Sequence, residues 1–423
     1  MQNFLVPFCV FVCFVRVSYQ NPVNNVCTTF LDYYKNMIYN PNCYHNPDVY
    51  LSVPEIIKRY DYPLQTYQVT TNDGYILTVF RIPYVQNFLK RSIGPPVFLQ
   101  HGIAQSSMVF VNIGRRSLAF TLADNGYDVW LGNFRGSVYS NKHKYLNGDN
   151  KTYWNFTFHE NGVYDLPAQL NVVTKVTNQK IIYIGYSMGS TAYFVYNTQY
   201  PEIAKNTIRI SISIAPVAFL KNVDKQIKFI IEGWCQLKNI HDKNGNGGIF
   251  RRTKGYIARR QRICLPYPVK MRFCLLSAYI FGLLDTAEED PEILPVIVMQ
   301  DQDAVAMKTV YHYVQLVRCG RFQQYDYREL NDEIYGTSAP PQYNLSNINV
   351  PNFFIRANRD SISTQKNVEE TFKFLSDSAK PFDIFVVSSD AFRHGDFVTA
   401  RDVRILVYEP ILDFLEKNKN KFL

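Results

Sequence analysis

Six short apolar runs, each bounded by polar or turn-forming residues, punctuate the chain at 97–100, 128–131, 181–185, 208–214, 353–357 and 383–387. Stretches long enough for a helix separate them. Strands buried on both faces read as continuous apolar runs, so this alternation predicts an α/β fold with a mostly parallel sheet covered on both sides by helices. Ahead of these runs, residues 66–71 and 75–82 are β-rich and are joined by Asn72-Asp73-Gly74, which predicts a hairpin. The alternation lapses from about 217 to 351. That interval predicts an inserted helical cap, with the sheet built first from 19–216 and completed by 352–423.

The N-terminus follows another pattern. Residues 4–15 are almost wholly apolar, yet too few to span a bilayer as a helix. They read as the hydrophobic region of a secretory signal peptide over 1–18, cleaved near Ser18. Cleavage removes Cys9 and Cys13 and leaves Cys27, Cys43, Cys235, Cys264, Cys274 and Cys319. Six cysteines allow about 15 pairings; short loops favour Cys27–Cys43 and Cys264–Cys274. Three sequons, beginning at Asn150, Asn155 and Asn344, predict glycosylation and agree with an oxidising, secretory route.

Composition and charge narrow the class. Across 423 residues, 47% hydrophobic and 19% charged content excludes disorder and collagen-like repeats. The net charge is +9, and nine basic residues between positions 243 and 284, with no acid among them, match that excess. No nucleic-acid motif accompanies them, so nucleic acid is not the expected partner. Arg251, Arg252, Arg259 and Arg260 read first as a solvated helical face; the alternative is adsorption to an anionic membrane surface, where each nearby base contributes about 1 kcal/mol. Asp242, Asn244 and Asn246 imitate the start of a calcium loop, but its twelfth position is Thr253 rather than the bidentate Glu required. No Cys/His spacing suggests zinc either.

Gly185-Tyr186-Ser187-Met188-Gly189 follows an apolar strand and precedes a helical stretch. Gly-x-Ser-x-Gly in that context is a nucleophile elbow, a tight turn that lifts the serine hydroxyl clear of the sheet. Serine needs a base to take its proton, and in this fold class an acid and then a histidine follow in chain order. Of seven histidines only His394 lies beyond the last strand, and Asp360 follows the strand before it. Asp377, Asp383 and Asp390 are rivals in helix, strand or later loop positions. Backbone N–H groups of Met188 and Ile103, the latter on the loop Gln100-His101-Gly102-Ile103, are the candidate oxyanion donors. His101 is expected to be structural.

Ordered matches along the chain carry a family resemblance: Thr71-Asn72-Asp73-Gly74-Tyr75, Leu99-Gln100-His101-Gly102, the stretch from Trp130 to Ser140, and Phe158 to Ala168. The elbow, His312 to Gln315, Tyr325-Asp326-Tyr327, Pro340 to Tyr343 and His394-Gly395-Asp396-Phe397 continue the series. With these the chain resembles the acid lipases, the animal gastric and lysosomal family with insect members. The resemblance implies an α/β-hydrolase fold with a cap and mobile lid, and a secreted or lysosomal serine lipase that cleaves triacylglycerol or cholesteryl ester at a lipid–water interface as a monomer, without a metal or other cofactor. It also implies the catalytic set Ser187, Asp360 and His394, and a disulfide between Cys264 and Cys274, with a third family cysteine replaced by Phe281. The chain departs from the family at Tyr186, where histidine is usual, at Ile103-Ala104 beside the oxyanion loop, at residues 303–307 of the cap, and at Arg328. Because some of these lie next to the oxyanion loop, the alternative is a lipid carrier that keeps the fold with little turnover.

Overall fold

The computed structural model describes residues 23–83, 94–229, 231–233, 247–265, 269–280 and 282–422. The signal-peptide reading, Cys235, the calcium-like residues Asp242, Asn244 and Asn246, and Phe281 lie outside them.

Nine strands form the main sheet: β1 (Gln65–Thr70), β2 (Tyr75–Ile82), β3 (Pro96–Gln100), β4 (Asp128–Gly132), β5 (Lys142–His143), β6 (Ile181–Tyr186), β7 (Ile208–Ile214), β8 (Asn352–Arg356) and β9 (Phe385–Val386). Their spatial order is β9-β8-β7-β6-β3-β4-β2-β1, with β5 beside β2. From β9 to β4 neighbouring strands are parallel; β2 runs antiparallel to β4, β1 and β5. All six apolar runs become strands, and the Asn72-Asp73-Gly74 turn closes the β1–β2 hairpin with Gly74 at φ 99°. The last run is shorter than expected, because Asp383 is exposed and pairing begins only at Phe385. β5, two residues long, is too short to register in a hydrophobic pattern.

Side chains alternate across a strand, and here alternate residues enter two cores. Val97, Leu99, Val129, Leu131, Ile182, Ile184, Ile210 and Ile212 face one, with Leu118, Leu122, Tyr408 and Ile411 from covering helices. Phe98, Trp130, Ile181 and Tyr183 face the other, against Leu166, Leu170 and Val173 of helix Leu166–Thr177 and Tyr193 and Phe194 of helix Met188–Gln199. The long hydrophobic runs of the sequence are thus strands with both faces occupied.

Among its described residues the interval 217–351 gives no strand to this sheet; it pairs Gly248–Ile249 with Val305–Ala306 and bridges Gln323 to Gln342. It contributes helices Lys254–Cys264, Val269–Ile280, Leu294–Gln300 and Met307–Cys319. Both disulfides favoured by loop length are formed, Cys27–Cys43 and Cys264–Cys274; Cys319 carries none among the described residues. The two bridges share one apolar cluster with Tyr33, Met271, Leu275, Leu294 and Val298. The disulfide-closed segment Cys27–Cys43 therefore leans on the insertion, whereas Val53, Ile56 and Ile57 farther along pack in the first sheet core.

Candidate active site

The site begins at the end of β6. Ser187 adopts φ 52° and ψ −114°, a conformation strained for any residue with a side chain, between the strand and helix Met188–Gln199. Two glycines make the turn possible. A Cβ on Gly189 would lie 2.3 Å from the carbonyl oxygen of Gln100, and one on Gly185 would lie 2.8 Å from the backbone of Gly189 and Ser190. The Ser187 N–H is tied to Ile214 O of β7 at 2.9 Å, so the elbow is fixed against two neighbouring strands.

Asp360 stands in the loop after β8 and His394 in the loop after β9. The three predicted residues meet. Ser187 Oγ donates to His394 Nε2 at 2.8 Å, and His394 Nδ1 donates to Asp360 Oδ2 at 2.7 Å. The other carboxylate oxygen of Asp360 accepts the N–H groups of Ile362 and Ser363 at 2.9 and 2.8 Å, which fixes the plane of the carboxylate. All three side chains are buried. The rival acids Asp377, Asp383 and Asp390 are exposed.

The loop after β3 closes the other side of the serine. An ideal Cβ on Gly102 would lie 3.3 Å from Ser187 Cβ, so the backbone passes directly over the nucleophile position. Among the described residues, neither the Met188 nor the Ile103 N–H enters a loop or cap backbone hydrogen bond. His101 is structural, as expected, and its contacts assign its tautomer. Nε2 accepts the Phe134 N–H at 3.1 Å, so Nδ1 donates to Gly102 O at 2.8 Å. Burial pushes His101 down to about 4, which keeps it neutral. In one peptide plane C=O and N–H point opposite ways; by holding the Gly102 carbonyl, His101 sets the direction of the Ile103 N–H.

The stretch from Trp130 to Ser140 serves as bracing. Arg135, 3% exposed, binds Asp165 through Nε at 2.8 Å and Asp73 through both terminal nitrogens, while Tyr75 stacks 4.0 Å from its guanidinium. His312 packs flat on Phe158 and is held neutral by burial. These motif residues are scaffold.

Two contributions were not readable from the pattern. Asp303, within the altered cap segment, donates its N–H to Ala104 O at 2.8 Å and accepts the Val138 N–H at 3.0 Å, locking the insertion to the loop over the serine. Gly395, next to His394, donates to Leu283 O at 2.7 Å, and Arg393 pairs with Asp285 at 2.9 Å. A small cavity of about 10 Å³ lies between His101, Ala104, Gln105, Met188 and Val305, about enough for one water.

Most of the basic patch has partners within the protein. Arg252 donates to the carbonyls of Met299, Gln300 and Gln302, and Arg260 to Val298 O and Gln302 Oε1, so both cap the end of helix Leu294–Gln300. Arg251 pairs with Asp149 at 2.6 Å. Only Arg259 of the four is exposed. Carbonyls left over at a helix end need donors, and sequence spacing does not reveal which distant helix supplies that need. Asn150, Asn155 and Asn344 are all exposed. Among the described residues no cluster of His, Cys, Asp and Glu is placed to hold a metal, and no helix is long and apolar enough to cross a membrane.

Residues 53–114 match the partial alpha/beta-hydrolase lipase region, and residues 95–250 match the alpha/beta hydrolase fold. Lipase 1 of Drosophila melanogaster is 34% identical over 88% of this chain and 81% of its own length. Human gastric triacylglycerol lipase is 31% identical over 88% of this chain and 93% of its own, and the rat protein of that name is 32% identical over the same shares. With this identity running through nearly the whole hydrolase frame, the chain belongs to the acid lipase family, on the α/β-hydrolase fold.

Proposed function

We propose that this protein is a secreted or lysosomal serine lipase that hydrolyses ester bonds of neutral lipids, triacylglycerol or cholesteryl ester. The observation that carries this reading is the continuous hydrogen-bond chain from Ser187 through His394 to Asp360, 2.8 and 2.7 Å long, at the strained elbow. His394 Nε2 takes the proton as Ser187 Oγ attacks the ester carbonyl. Asp360 stabilises the imidazolium and holds its orientation. The tetrahedral oxygen accepts hydrogen bonds from the N–H groups of Met188 and Ile103, each worth ~100- to 1000-fold in turnover. The proton then passes to the departing alcohol, leaving an acyl-Ser187 ester; water, deprotonated by His394, releases the fatty acid and restores the serine.

Access requires movement. Ser187 and His394 are 5% and 6% exposed, and the 10 Å³ cavity beside them is far too small for an acyl chain. Residues 217–351 act as the cap, with the contacts of Asp303, Leu283 and Asp285 as the seam that opens. Helix Val269–Ile280 presents Val269, Phe273, Leu276 and Ile280 outward at i, i+4, i+7 and i+11, and Lys270, Arg259 and Arg262 are exposed nearby in sequence. An apolar stripe with basic neighbours suits adsorption to an anionic lipid surface. Asn150, Asn155 and Asn344 carry glycans on this route.

The deciding measurement is fatty-acid release from emulsified long-chain triacylglycerol between acidic and neutral pH, by the wild type and by Ser187→Ala. Release that vanishes in the variant supports the reading; a wild type that releases nothing from emulsions or short soluble esters overturns it.

A further inference from the structure

The residue before the nucleophile is Tyr186, where the resembled family has histidine, and its surroundings are unusual. Its hydroxyl donates to the backbone carbonyl of His394 at 2.7 Å. Its ring centroid lies 5.6 Å from the His394 ring at 32°. Its Cδ1 lies 3.3 Å from the space a side chain on Gly102 would fill. The residue is 2% exposed, and its backbone pairs with Ile214 in the sheet. One side chain thus touches the histidine loop and the oxyanion loop while its own backbone leads into Ser187.

We propose that Tyr186 is a positioning residue: its phenol staples the carbonyl of His394 to the serine elbow and so sets the Ser187–His394 geometry. This rests on the reading of Ser187, His394 and Asp360 as a catalytic triad. The argument is one of rigidity. Besides the imidazole's own bond to Asp360 and the burial of the flanking Phe392 and Phe397 in the first core, the loop bearing His394 is held by Gly395 to Leu283 O and by Arg393 to Asp285. The last two contacts belong to the insertion that must move when substrate enters. The bond from Tyr186 belongs to the sheet and survives that movement. It keeps His394 in place while the cap is open, when turnover occurs.

The phenol suits this work at any pH the protein meets. Burial, with Asp360, Asp301, Asp396 and Tyr408 around it, holds its pKa well above the ordinary tyrosine range, so the O–H remains a donor. A histidine at 186 would titrate there, beside His394.

The test is active-site titration with a long-chain phosphonate followed by steady-state kinetics per titrated site, for wild type, Tyr186→Phe and Tyr186→His. A wild type that is not labelled at Ser187 sinks the triad reading itself. With labelling intact, Tyr186→Phe is expected to lose on the order of ten-fold in kcat per titrated site with KM unchanged, because a buried carbonyl is orphaned at the base. Tyr186→His is expected to recover most of that loss near neutrality and to add a second ionisation to the acid limb of the kcat/KM profile. If Tyr186→Phe merely lowers the number of titratable sites, with kcat per site as in wild type, the tyrosine only supports folding and the proposal fails. Equal pH profiles for Tyr186→His and wild type would also overturn it.

Discussion

Around the serine, Val97, Phe98, Leu99, Ile184 and Ile212 have no exposed surface at all, whereas on helix Val269–Ile280 of the insertion Val269 and Phe273 stand 76% and 68% exposed. The strands that aim Ser187, Asp360 and His394 are locked from both faces by two cores. Helices Lys254–Cys264 and Val269–Ile280 of the insertion rest on one small cluster tied by the disulfides, and a seam of polar contacts from Asp303, Leu283 and Asp285 joins the insertion to the site. Ile293, Ile297, Leu316, Phe322 and Tyr343 anchor the rest of it in the two sheet cores. The rigid region holds groups that must not shift by half an ångström, and the loosely seated one presents groups whose partner is elsewhere. Conformational freedom in this fold is confined to the side from which substrate comes.

The sharpest way to break this contrast is to strike the rigid half at its chemistry. His394→Ala and Asp360→Asn should each lower kcat about ten-thousandfold while thermal unfolding stays near that of the wild type. A loss below a hundredfold in either variant would contradict their assigned roles. Next in size, Arg135→Leu strands the buried Asp165 and should cost about 3–5 kcal/mol, read as a fall in the denaturation midpoint. An unchanged midpoint would mean that the brace is ornamental.

A smaller effect belongs to the seam. Burial raises Asp303 to about 6, Asp301 and Glu289 to about 7 and Asp396 to about 8. A carboxyl whose folded pKa lies above its unfolded one binds extra protons in the native state. Its stability is therefore full below about pH 4 and is lost as pH climbs through the raised values. His101 and His312, pushed down to about 4 and 3, work in the opposite sense below about pH 6.5. Asp301→Asn, whose parent carboxyl is partly buried beside Asn112, should thus raise the melting temperature more at pH 8 than at pH 5. Equal gains at both pH values would refute the linkage. The smallest effect on folding is expected from Phe273→Ser with Leu276→Ser. Exposed positions of this kind move stability by about 0.5 kcal/mol or less, yet the pair should bind anionic vesicles and hydrolyse emulsions more weakly while cleaving soluble esters as before. Undiminished vesicle binding would remove the stripe from the account.

How much of this was legible beforehand follows the same division. The strands could be read because continuous apolar runs have few other fates. The order Ser187, Asp360, His394 could be read because in this fold class the acid and then the histidine follow the serine in chain order, here after β6, β8 and β9. The partners of the arginines were hidden because Arg252 and Arg260 answer to carbonyls of a helix some forty residues away in sequence. The role of Asp303 was hidden for a similar reason, since its partners Ala104 and Val138 are far off in sequence. Tyr186 stood out only as a departure; a side chain's direction at a turn is decided by what packs on it.

The separation of 207 residues between Ser187 and His394 also has a meaning in time. At about 5–20 residues per second, a ribosome finishes the elbow roughly ten to forty seconds before it makes the base. During that interval the nascent chain carries a serine with no proton acceptor, so an ester-cleaving enzyme remains inert beside the membranes of the cell that makes it until its last seventy residues have joined the sheet.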